Sequence, residues 1–288
     1  MGERTTFLDA ASTGRSSAWR SVAGAALVFV TWQIVAVTGS LAAVRLASSL
    51  SLPAPWGAMV RLWGLFLAPI GLVGGLWIVQ AWLHRRTLLS LVTMETRVEW
   101  RRVAFGAAVW AALLAIAETA AALLEPGAYR LTFQAAPFFA SLVALVPLIA
   151  LQAVGEELYF RGYLLQAIGR YARSFWVLIP AGALLFALPH LGNPEVASGG
   201  WPQVASYALM GGLLTAVALR DGRLELAMGL HMVNNLAAAV VVGTTTSVIA
   251  GTAPIFTTAE SPPLLTLAVT AVQATIFWLV VFRPARTT

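Results

Sequence analysis

The 288-residue chain predicts an all-α protein, a polytopic transmembrane helix bundle of about eight spans. Three observations lead there. Hydrophobic residues make up 59% of the chain and charged residues only 10%, with mean hydropathy +0.81. A soluble domain carries about 25% charged residues. The apolar residues fall into runs of membrane-crossing length, and eight spans of about 20 residues would use roughly 160 positions. Arginine is confined almost wholly to every second connection between those runs.

In chain order, the first 20 residues are polar and hold Arg4, Arg15 and Arg20, a cytoplasmic N-terminal segment (1–20). The run Val22–Val44 is longer than the apolar region of a signal peptide and reads as a retained span. Further spans are read at Met59–Leu83, Val103–Leu124, Phe138–Gly169, Phe175–Leu191, Gln203–Leu219, Leu224–Val242 and Leu264–Phe282. Pro147 is a candidate kink in the fourth, which is longer than a bilayer requires. Three N-terminal spans thus occupy 21–136, with a basic cytoplasmic connection at 84–102 read as an interfacial amphipathic helix. A core of four spans covers 137–243, and an outer loop with a last span covers 244–288. Gly71 and Gly75 form a GxxxG, read as close helix packing.

Placing both termini in the cytoplasm puts fifteen arginines inside and only Arg45, Arg61 and Arg130 outside. Removing one span would invert every later loop and spoil that bias. The net charge of +6 and pI near 10.7 therefore read as contact with anionic lipid, with no nucleic-acid partner. The expected location is a bacterial plasma membrane. Cysteine is absent, and all 18 basic residues are arginine. Disulfides, thiol nucleophiles, Cys-ligated metals and catalytic lysines are excluded.

Polar groups inside spans are costly, so each calls for a role. The fourth span carries Glu156, Glu157 and Arg161, the fifth His190, and the seventh His231, Asn234 and Asn235. The fourth and fifth spans turn near 170–174, and 173 is the midpoint of 156 and 190. Glu156 and His190 should therefore face each other across a helical hairpin, roughly 20–25 Å from its turn. His231 and Asn235 are spaced i, i+4 and share a helix face. Convergence of Glu156, His190, His231 and Asn235 in the cytoplasmic half of the membrane is the expectation. Glu157 and Arg161, also i, i+4, suit an ion pair that leaves Glu156 free. Gln152, one turn before Glu156, is placed to orient it. Glu118, in the third span, is read as lying near the outer interface.

A carboxylate, two imidazoles and a carboxamide suit hydrolysis of an amide by water. Glu156 would take the proton, His190 would orient the water, and His231 with Asn235 would donate to the oxyanion. Glu156, His190 and His231 could equally bind zinc or another divalent metal, so no cofactor is required by the pattern. HExxH is absent.

Glu156-Glu157-x-x-x-Arg161, Phe186-x-x-x-His190 and His231-x-x-x-Asn235 together resemble the three motifs of the CPBP family. These are the type 2 CAAX prenyl endopeptidases and the bacteriocin-processing Abi intramembrane proteases. The resemblance covers about Phe138–Val242. It implies a glutamate-activated water at Glu156 and His190, oxyanion donors at His231 and Asn235, and supporting roles for Glu157 and Arg161. It favours Asn235 over Asn234 as the donor. The implied substrate is a lipidated or hydrophobic peptide, or a membrane protein cut near its C-terminus. A non-proteolytic scaffold or bacteriocin-immunity protein on the same fold is the alternative expectation.

Overall fold

A computed structural model describes residues 7–244, 246–258 and 261–283. Arg4 and Arg286, both counted in the arginine bias, lie outside them. The protein is a bundle of helices whose long members coincide with the apolar runs. α1 is Ala18–Ser49. α2 (Ala54–Leu65) and α3 (Ala68–Ile78) are one span broken at Phe66–Leu67, just before Pro69, and it ends in a π-helical turn, Val79–His84. Gly71 and Gly75 of α3 lie directly against Thr31 and Val35 of α1, as the GxxxG suggests.

The basic connection that follows is a correction. Only the single turn α4 (Leu89–Val92) is helical, and Leu91 and Val92 are buried. Its apolar stretch is too short for an interfacial helix and packs into the bundle, Leu91 lying against Gly162. The N-terminal segment is likewise not free. Phe7–Ser12 forms a 3₁₀ turn with Phe7 and Leu8 buried, Leu8 resting on Gly169.

α5 (Trp100–Leu124) leads to strand β1 (Tyr129–Leu131). Tyr129 donates its hydroxyl to Glu118 at 2.7 Å, which gives that carboxylate a structural partner. α6 (Ala135–Glu157) keeps going through Pro147, turns π-helical over Leu158–Leu165 and ends in α7 (Gln166–Gly169). The turn at 170–174 then reverses the chain into α8 (Phe175–Ala187), which closes with a 3₁₀ turn at Leu188–Gly192. α9 (Pro194–Asp221) bends at Gly200, whose φ of 63° is a left-handed conformation that glycine adopts freely. α10 (Glu225–Val240) precedes β2 (Val242–Thr244), and β3 (Phe256–Thr258) precedes α11 (Pro263–Val281).

Seven of these stretches are long and apolar enough to cross a bilayer. The expected seventh span, Leu224–Val242, is the exception. α10 has 16 residues, about 24 Å, short of a 30 Å hydrocarbon core. It packs instead inside the bundle, mainly against α5 and α6. At its start, Arg223 pairs with Glu99 (3.2 Å) and Glu225 (3.3 Å), while Arg102 pairs with Asp221. At its end, β2 joins a small sheet ordered β1-β3-β2, parallel to β3, which is antiparallel to β1. That sheet corrects the reading of 243–263 as loop alone. Being enclosed by neighbours, α10 needs no lipid-matched length. Gly106 of α5 and Gly229 of α10 bring the two backbones together: a Cβ on Gly229 would collide with Val103 O, and one on Gly106 with Leu226 O.

Candidate active site

α6 and α10 meet in the interior and bring most of the expected side chains together. Glu156, Glu157, Arg161 and His231 are all buried. The i, i+4 spacing places Arg161 Nη1 2.8 Å from Glu157 Oε1, and Arg161 Nη2 donates to Gly211 O at 3.0 Å. The guanidinium also lies 4.6 Å from the Phe186 ring centroid. His231 Nδ1 donates to the same Glu157 oxygen at 2.8 Å. Gln152 Nε2, one turn before, donates to Glu156 Oε1 at 2.9 Å.

A directed chain of hydrogen bonds runs into this pair from α5. Trp110 Nε1 donates to Asn234 Oδ1 (3.2 Å), Asn234 Nδ2 to Asn235 Oδ1 (3.2 Å), and Asn235 Nδ2 to His231 Nε2 (3.3 Å). Since carboxylate oxygens only accept, Glu157 requires the proton on His231 Nδ1, and Nε2 is then the acceptor that Asn235 needs. Every donor points the same way. Sequence reasoning missed Trp110. Its signal was an indole in mid-span, far from either interface, whose N–H requires a partner once buried.

Glu156 is set apart. Its Oε2 is buried without a hydrogen-bond partner and stands 3.7 Å from His231 Nε2. The buried set holds two carboxylates against one guanidinium. Glu157 takes both the guanidinium and the imidazole N–H on Oε1, its Oε2 being likewise without a partner, whereas Glu156 accepts its one hydrogen bond among the described residues from Gln152.

His190 stands at the rim. Its Nδ1 donates to Phe186 O at 2.7 Å, which leaves Nε2 as the ring's acceptor. No hydrogen bond among the described residues joins it to Glu156 or His231. Phe186 touches both imidazoles instead, with centroid separations of 4.7 Å to His190 and 5.5 Å to His231. The hairpin register is as expected, but the 3₁₀ turn at Leu188–Gly192 takes His190 off the helical path. The ligand set Glu156, His190 and His231 is not assembled. Among the described residues no three His, Asp or Glu side chains form a metal-holding group, and both nitrogens of His231 are already committed.

A helical membrane bundle with a buried glutamate pair, an arginine and a histidine-asparagine turn is the class of protein this fold and site define. The comparisons name it more closely. Residues 137–237 match the family described as type II CAAX prenyl endopeptidase Rce1-like. The uncharacterized protein YyaK of Bacillus subtilis (strain 168) is 30% identical over 211 residues, spanning 71% of this chain and 70% of that one. The chain belongs to the Rce1-like family of integral membrane proteins. No solved structure matches it.

Proposed function

We propose that the protein is an intramembrane endopeptidase in which Glu156 activates water against a peptide bond. The single observation that carries this is the partner-free Glu156 Oε2, buried 3.7 Å from His231 Nε2 on a carboxylate that makes no bond to Arg161, whereas Glu157 is tied through Oε1 to both Arg161 and His231. Gln152 holds the other Glu156 oxygen, which aims the free one. A buried acceptor without a donor costs about 1–3 kcal/mol, and a water donating to Oε2 offsets that cost.

Glu156 removes a proton from the water as the oxygen attacks the carbonyl carbon. The oxyanion is met by Asn235, whose Nδ2 has a second hydrogen beyond the one given to His231. His231 Nε2 becomes a donor only on taking up a proton, so the imidazole suits proton transfer as well as charge stabilisation. The proton on Glu156 passes to the leaving amine. His190 Nε2 is the acceptor available to orient water at the rim. Among the described residues the donors present do not form a metal-holding set, and the chemistry above uses only the side chains named.

The substrate class is a hydrophobic or lipidated peptide, or a membrane protein cut near its C-terminus, in a bacterial plasma membrane with both termini cytoplasmic. The positive-inside bias and the family support that reading. The test is purified protein in liposomes given hydrophobic peptides with and without a lipid-modified C-terminal cysteine. Cleavage of either supports the peptidase. Binding without cleavage supports the scaffold instead.

A further inference from the structure

Next to His190 is a second polar cluster that none of the family's motifs contains. Tyr207 of α9 packs its ring on the His190 imidazole, with centroids 4.3 Å apart and planes 31° apart. The phenol hydroxyl donates to Glu195 Oε1 at 2.5 Å and accepts from Asn193 Nδ2 at 3.0 Å. The other oxygen of Glu195 accepts the backbone N–H of Val248, in the outer loop between β2 and β3, at 3.0 Å. One carboxylate therefore fixes both the phenol that packs on His190 and the loop at the end of α10.

We propose that Tyr207 is a positioning residue for His190, and that Glu195 holds Tyr207 in place while latching the outer loop. His190 needs such help. It lies in a short 3₁₀ turn beyond Pro189, half-buried, with a single hydrogen bond to its own helix. That bond leaves the ring's tilt about the Phe186 contact unrestrained. The Tyr207 face supplies the restraint, and offset aromatic packing of this kind is directional. The Nε2 acceptor then keeps one direction. The kinetic part of this proposal rests on the peptidase reading; the structural part does not.

The chain has three histidines, so isotope labelling of histidine alone gives three imidazoles to follow in micelles. His190 is identified by its loss in His190→Ala. In Tyr207→Leu the His190 ring signals move as the ring-current shift disappears, while those of His84 and His231 stay and report an intact fold. Unmoved His190 signals overturn the proposal. Should all three move because the variant fails to fold, ring-to-ring Overhauser contacts between His190 and Tyr207 in the wild type decide it: present, they support it; absent, they overturn it. In liposomes, Tyr207→Leu lowers kcat about ten-fold with KM within about two-fold, and Tyr207→Phe, which keeps the ring but loses the Glu195 anchor, falls between Tyr207→Leu and the wild type. In a His190→Ala background Tyr207→Leu costs nothing further, and an equal loss in both backgrounds overturns the positioning role. A wild type that cleaves nothing refutes the peptidase reading, and the labelling result still decides whether Tyr207 sets His190.

Discussion

His231 Nδ1 lies 2.8 Å from Glu157 Oε1, a contact between α10 and α6 that joins residues 74 positions apart. It decides which of two adjacent glutamates is tied to both the imidazole N–H and the guanidinium. Glu157 is occupied by His231 and Arg161, and Glu156, about 100° around the helix, is not. Two neighbouring carboxylates of the same type therefore have different work.

Glu157 and Arg161 should matter to folding more than to chemistry. Arg161→Ala or Glu157→Ala leaves one buried charge without its ion-pair partner, which costs about 3–5 kcal/mol. We expect a large fall in detergent-phase Tm and a low yield of folded protein for either. A variant with unchanged Tm would show that the pair does not hold the bundle.

Trp110→Phe keeps the ring packed on Phe277 but removes the donor to Asn234. Asn234, and through it Asn235, loses its fixed orientation. The expected loss of about 1–2 kcal/mol corresponds to a five- to thirty-fold lower kcat, with Tm changed by a few degrees. Wild-type kcat would remove Trp110 from the relay.

Cysteine is absent from the chain, so single-cysteine variants report sidedness cleanly. With both termini inside, Thr87→Cys in intact cells is protected from a membrane-impermeant maleimide, and Gly127→Cys reacts. The reverse pattern would invert the arginine assignment.

Chelators should leave cleavage unchanged, since among the described residues no three His, Asp or Glu side chains form a group that could hold a metal ion. Loss of activity with 1,10-phenanthroline and its return on adding zinc would require Glu156, His190 and His231 to draw together on metal binding.

Much of this was readable beforehand, for definite reasons. Spans are long and chemically uniform, so the runs at Val22–Val44 and Leu264–Phe282 mark α1 and α11 closely. The offset from Glu157 to Arg161 is a property of one helix, and spacing alone predicts it. Contacts between helices are different in kind. That Trp110 meets Asn234, or that Tyr207 packs on His190, depends on rotations about helix axes that no local pattern records. The three-residue strands carry too little alternation to be seen. α10 looked like a full span because Val241 and Val242 prolong its apolar run, yet the helix stops at Val240 and the chain enters β2. The 3₁₀ turn after Leu188 moved His190 from the position that ideal helix geometry assigns.

The central claim is that the free oxygen of Glu156 activates the attacking water. The most direct measurement compares peptide cleavage by wild type and Glu156→Gln, reconstituted side by side in liposomes at matched folded protein. We predict at least a 100-fold loss for Glu156→Gln, the usual scale for a removed general base, with Tm unchanged because Glu156 anchors no ion pair to Arg161. Equal cleavage by the two proteins would contradict the account.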